Sequence, residues 1–143
     1  MGILQESMTL AGGVSIPRLG FGTWQIPEGD ACYDAVSRAL EAGYRHIDTA
    51  LAYGNEKSVG RAVRNAGLAR NEVFITSKLP AEEKSAGAAL RCFEVTMDNL
   101  GLETLDLYLI HAPWPWNDVG ADCTKENIAL WQEMEEIQQS GRC

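Results

Sequence analysis

No stretch of this 143-residue chain approaches the ~18 consecutive apolar residues that a membrane-spanning helix needs. Its start, MGILQESMTLAGG, lacks the basic residues and apolar core of a secretory signal. Gln5 and Glu6 stand where a myristoylation motif wants Ser or Thr, so the Met-Gly start is set aside. Positive charge is scarce. Twelve basic against twenty acidic residues leave a net charge of −8, which repels phosphate backbones and argues against nucleic-acid partners. The cysteines at 32, 92, 123 and 143 form no CxxC pair, and only His46 and His111 could join them, so no zinc or other metal site is expected. Free thiols in a reducing cytoplasm are the simpler reading. A glycine-rich dinucleotide fingerprint is also missing: the GFG at 20–22 is too short and is not followed directly by a helix.

What is present is ordinary in bulk and ordered in detail. Hydrophobic content of 45% and charged content of 22% suit a soluble globular protein, and the length allows one domain with a real core. MTL and SIPRL flank Ala-Gly-Gly and predict a small β-hairpin. After it a unit recurs: short apolar run, polar loop, amphipathic helix, glycine. The runs are LGFGTWQ at 19–25, HIDTA, VFITSKL and LDLYLIH. The helices bury Tyr33, Val36 and Leu40; then Val59 and Val63; then Leu90, Phe93, Met97 and Leu100; then Leu130, Met134 and Ile137. Gly43, Gly67, Gly101 and Gly141 close them, each supplying the left-handed residue that ends a helix cheaply. A strand-to-strand period of about thirty residues fits βα units and a parallel sheet. An eight-fold barrel takes about 250 residues, so four units read as half of one.

Three of the runs end in residues that carry chemistry: Asp48, with Tyr53 five residues on, Lys78 and His111. Singly, each has a plainer explanation, such as a loop cap, a packed tyrosine, a solvated rim lysine or a satisfied core histidine. Together they lie at the C-terminal ends of neighbouring parallel strands, where such folds assemble their sites. A phenol is a weak acid with pKa near ~10, and an adjacent ammonium stabilises its anion and makes it a better proton donor. Asp48 would hold Lys78 in place and charged, while a neutral His111 could orient a carbonyl oxygen. That set suits carbonyl reduction, with Tyr53 protonating a developing alkoxide. No side chain supplies a hydride, so a nicotinamide cofactor would have to. Trp114 and Trp116, just beyond the last strand, could wall an apolar pocket or pack their own proline-rich loop.

The motifs GFGTWQ, GYRHIDTALAYGNE, VFITSKL and LDLYLIHAPWP cover nearly the whole chain in order. With them the chain resembles the N-terminal half of an aldo-keto reductase, a family of NADPH-dependent (β/α)8-barrel oxidoreductases. The resemblance implies an α/β fold of the TIM-barrel type, with residues 1–143 as the first half of a single domain. It implies that Tyr53 is the general acid, that Lys78 and Asp48 tune it, and that His111 orients a small carbonyl substrate. Gly22, Thr23 and Trp24 would lie against the nicotinamide of NADPH beside Asp48. Trp24 would also face the substrate with Tyr53, His111 and Trp114. The hairpin at 8–18 would plug the barrel bottom.

Two departures stand out. Ala112 occupies the place after the histidine where many relatives carry tryptophan, and the basic cofactor-gripping segment of the family's second half has no counterpart here. A full-length enzyme of this kind is expected to be monomeric and cytoplasmic, while four units with two open edges are expected to self-associate or aggregate, to be marginally stable, or to pair with a second half that closes a barrel. Two other readings remain at this point: a Schiff-base aldolase using Lys78, and a non-catalytic interaction protein on a barrel relic.

Overall fold

A computed structural model describes residues 2–143. The hairpin forms as expected. β1 (Ser7–Thr9) pairs antiparallel with β2 (Ser15–Pro17), Met8 opposite Ile16, across a turn that uses Gly12 and Gly13. Then β3 (Phe21–Gly22), β4 (His46–Asp48), β5 (Phe74–Leu79) and β6 (Leu107–Ile110) make one parallel sheet in the order β3-β4-β5-β6. Each strand is followed by a helix: α1 (Asp30–Glu41), α2 (Glu56–Asn65), α3 (Ala88–Leu100) and α4 (Thr124–Gln139). The arrangement is half of a (β/α)8 barrel. The four glycines expected beyond the helices all have positive φ, from 60° at Gly101 to 101° at Gly43.

Side chains alternate between the two faces of the sheet. Ile47, Ile75, Leu79 and Tyr108 point outward into one core with Val36, Val59, Phe93, Leu100 and Leu130 from the helices. The opposite, inner face carries His46, Asp48, Thr76, Lys78 and Leu109. Every second residue of the β4–β6 strands is therefore spent on packing and the rest are available for a site. β5 is buried along its whole length, as the central position between β4 and β6 requires.

Two expectations change. The first apolar run is a strand only at Phe21–Gly22, because the chain turns at Thr23–Ile26 and Gln25 takes a positive φ of 62°. Leu90 is not on the buried face of α3 and stays 37% exposed. The packed stripe runs through Ala89, Phe93, Thr96, Met97 and Leu100, and Leu90 sits about 100° around the helix from Ala89.

α2 and α3 approach closely because residue 60 is glycine. A Cβ there would land on the backbone of Leu100, the last residue of α3. One turn later Arg64 donates to the Leu100 carbonyl and ties the same point. Glu56, the first residue of α2, is also buried there. It accepts from Ser77 on β5 at 2.7 Å and from Asn99 on α3 at 3.0 Å, so the two polar neighbours satisfy both carboxylate oxygens.

The β6 side of the sheet is uncovered. Leu109 on the inner face is 38% exposed, and Trp131 on α4 is 58% exposed. A groove of about 290 Å³ runs between the hairpin turn, β6 and α4, lined by Leu10, Val14, Leu107, Met134 and Ile137 among others. Among the described residues no helix is long and apolar enough to cross a membrane.

Candidate active site

Register explains how the site assembles. Asp48 ends β4 and is paired in the ladder with Thr76, one inward position before Lys78. The Lys78 ammonium thus reaches sideways to Asp48 Oδ1 at 2.6 Å and donates to the carbonyl of Thr49 at 2.9 Å. The lysine is buried, whereas the Asp48 carboxylate is one-third exposed, so one end of the ion pair meets solvent. The chain after β4 makes a 3-10 turn, Leu51–Tyr53, which brings Tyr53 back over the strand ends. The Lys78 ammonium lies 5.2 Å from the centre of the Tyr53 ring. His111, one residue past β6, meets the Tyr53 ring edge-on with centroids 5.6 Å apart. Asp48, Tyr53, Lys78 and His111 therefore form one cluster on the inner face.

His111 sits with Nδ1 buried and without a hydrogen-bond partner. Burial, helped by the Lys78 ammonium and opposed by Asp48, lowers its pKa below the ordinary 6.5, so the ring is neutral at neutral pH. The aromatic ring packed on its other side is Trp116, edge-on at 5.8 Å. Trp114 is half-buried in the same loop. Trp24, two residues beyond Gly22, is 67% exposed. Gly22 is paired with Asp48, and a Cβ added there would meet open space, which leaves a shallow cradle beside the carboxylate. Thr23 is placed differently from its neighbours. Its side chain is fully buried and its hydroxyl donates inward, to Thr49 Oγ1 at 2.9 Å. Among the described residues no group of three or more His, Cys, Asp or Glu side chains could hold a metal ion, and the four cysteines are free.

The inner face also carries a second histidine below the cluster. His46 Nε2 is hydrogen-bonded to Thr76 Oγ1 at 3.0 Å, and burial lowers its pKa as well, partly offset by Asp48. A folded-state pKa below the unfolded one means that the unfolded chain binds more protons. The stability from these two imidazoles is thus full above about 6.5 and is lost as pH falls from there. Urea midpoints should drop between pH 7.5 and pH 5, and H111Q or H46Q should each flatten part of that slope. A midpoint that does not move over this range would contradict the burial argument.

A sequence profile described as the aldo/keto reductase family matches residues 18–143. The chain belongs to that family. An aldo-keto reductase of a Mycobacterium species (strain KMS) is 48% identical over 126 residues, covering 88% of this chain and 45% of the relative. The crystal structure of an aldo/keto reductase from Brucella melitensis superposes with a TM-score of 0.85 at 39% identity, over 96% of this chain and 50% of that one. A Bombyx mori aldo-keto reductase, crystallised in complex with NADP, gives 0.81 at 32% identity, covering 96% of this chain and 48% of its own. This chain thus spans about half the length of the aldo-keto reductases it matches.

Sequence reasoning passed over Asn55 as anything more than part of a motif. It is fully buried, and its carboxamide joins three backbone segments around the cluster. The available signal was its place between Tyr53 and the start of an amphipathic helix, where a helix cap was the obvious reading. Its side chain makes no capping bond.

Proposed function

We propose that this aldo-keto reductase chain carries the proton-transfer site of an NADPH-dependent reductase of aldehydes and ketones, acting in the cytoplasm on small carbonyl compounds. The observation that carries the reading is the Lys78 ammonium. It is held by Asp48 at 2.6 Å and by the Thr49 carbonyl at 2.9 Å, and it faces the Tyr53 ring. Tyr53 gives its proton to the oxygen of the carbonyl as that oxygen gains negative charge, and the nearby ammonium stabilises the phenolate left behind. His111, neutral and with its proton on Nε2, donates to the same oxygen and sets its direction without competing as an acid. Trp24, Trp114 and Trp116 bound the approach from the apolar side.

The open cradle at Gly22, between Trp24 and Asp48, fits a flat ring laid against the sheet end. Gly22, Trp24 and Asp48 would hold the nicotinamide there, with Thr23 anchoring the loop from beneath. When bound, NADPH supplies the hydride that no side chain can. A Schiff-base role for Lys78 needs a nitrogen free to attack a carbonyl, and here that nitrogen is engaged as a donor to Asp48 and to the Thr49 carbonyl. Titration of the chain with NADPH, followed by cofactor fluorescence, should give saturable binding and, with an added aldehyde, oxidation of the cofactor. Absence of binding would mean that these residues do not constitute a reductase in this chain.

A further inference from the structure

We propose that Asn55 is a positioning residue that references Tyr53, Lys78 and the Trp24 loop to a single buried carboxamide. This rests on the reading of Tyr53 and Lys78 as the proton-transfer pair. An asparagine side chain offers two donors and two acceptor sites, and here both donors and the oxygen are engaged. Oδ1 accepts from Thr49 Oγ1 at 3.1 Å, and Thr49 Oγ1 in turn accepts the single hydroxyl proton of Thr23 at 2.9 Å. Nδ2 donates to the carbonyls of Thr23 at 2.8 Å and Ile26 at 2.9 Å. The opposite orientation would turn Oδ1 toward two carbonyl oxygens, so the network fixes which way the amide points.

Three segments meet on this amide. Thr49 and Asn55 are the two ends of the loop that carries Tyr53, and their side-chain bond closes it. Within it Tyr53 is held by its own N–H to the Ala50 carbonyl at 3.0 Å. Thr49 also presents the carbonyl that accepts from Lys78, so tilting Thr49 moves a partner of the ammonium. The third segment, Thr23 to Ile26, bears Trp24 and begins with the Thr23 N–H donating to the Asp48 carbonyl at 3.0 Å. Loss of the Asn55 donors releases that segment: the part-buried Ile26 carbonyl loses its partner, and the Thr23 carbonyl keeps only the Ile26 N–H at 3.2 Å. The three side chains, Thr23, Thr49 and Asn55, are all fully buried, and the network meets the cluster through the Thr49 carbonyl at Lys78. Asn55 thus acts through Thr49 and the loop, and is not itself a catalytic residue.

The consequence can be read without turnover. Acylation of the four lysines, Lys57, Lys78, Lys84 and Lys125, by an N-hydroxysuccinimide ester is followed by mass spectrometry in the whole chain. N55D keeps the size and both acceptor positions but loses the two donors. Its Lys78 should acylate about tenfold faster, the scale of a lost buried hydrogen bond, with Lys57 and Lys125 unchanged. A folded N55D, shown by a cooperative melt, with wild-type Lys78 reactivity would overturn the proposal and leave the reductase reading untouched. Selective loosening of Lys78 in a chain that fails to bind NADPH would do the reverse. Where N55D does not fold, T23V removes one hydroxyl of the network at constant shape. It must then show the same selective rise at Lys78, and its failure to do so overturns the proposal.

Discussion

Replacing Tyr53 by phenylalanine should lower the rate of aldehyde reduction by ~10²–10⁴-fold, the usual worth of a positioned general acid. The substitution removes one oxygen and little else. Phenylalanine keeps the edge contact to His111 at 5.6 Å and the ring that faces Lys78 at 5.2 Å, so neither the fold nor the shape of the site should change. The deficit should therefore fall on kcat, with KM for the carbonyl nearly unaltered, as expected when an interaction made only in the transition state is lost. NADPH affinity should be retained for the same reason. Steady-state rates of Y53F against wild type decide it. A variant that turns over at the wild-type rate would mean that the proton comes from elsewhere, and the role given to Lys78 would fall with it.

The second large effect is on stability, at Gly60. In an exposed helix interior, glycine to alanine gains about 1 kcal/mol from backbone entropy. Here the new methyl group would meet the Leu100 backbone, and that point of α3 is also tied by Arg64. A flexible side chain could step aside, but a helix-terminal carbonyl in the core cannot do so without moving α3. Overpacking of this kind costs about 3 kcal/mol at the upper end of its usual range, which outweighs the propensity gain. G60A should lower the urea midpoint sharply, and it should do so through the α2–α3 contact without touching the inner face. Unchanged or increased stability would show that the two helices can part at little cost.

Much of this architecture was legible because periodicity reports burial. Val36 and Leu40, Val59 and Val63, and Leu130, Met134 and Ile137 fall on the buried faces that their spacing predicts. Leu90 does not, since the start of α3 meets the core through Ala88 and Ala89, both fully buried, and of the neighbours Ala89 and Leu90 it is Ala89 that faces inward. Periodicity could not choose the smaller one. The cluster of Asp48, Tyr53, Lys78 and His111 was visible because parallel strands align their ends.

What lay beyond the sequence were contacts decided by loop geometry. Which of Trp114 and Trp116 packs on His111 depends on how the Pro113 and Pro115 turns run, and the ring that arrives there is Trp116. The inward turn of Thr23 and the two bonds Asn55 donates, to the Thr23 and Ile26 carbonyls, join residues 26 to 32 positions apart in the chain, a separation no local pattern encodes.

The uncovered inner face, with Leu109 exposed and one oxygen-bearing end of the Asp48–Lys78 pair reaching solvent, links occupancy to folding. Any molecule that settles on this face only when it is formed draws the unfolded population back toward the native one by mass action. At a concentration of 100 times its dissociation constant, such a ligand adds about 2.7 kcal/mol. For a chain of this size that is a substantial fraction of the whole stability. The same law applies to a second copy of the chain covering the β6 edge. Melting temperature, read against ligand and protein concentration, is for this molecule a titration curve.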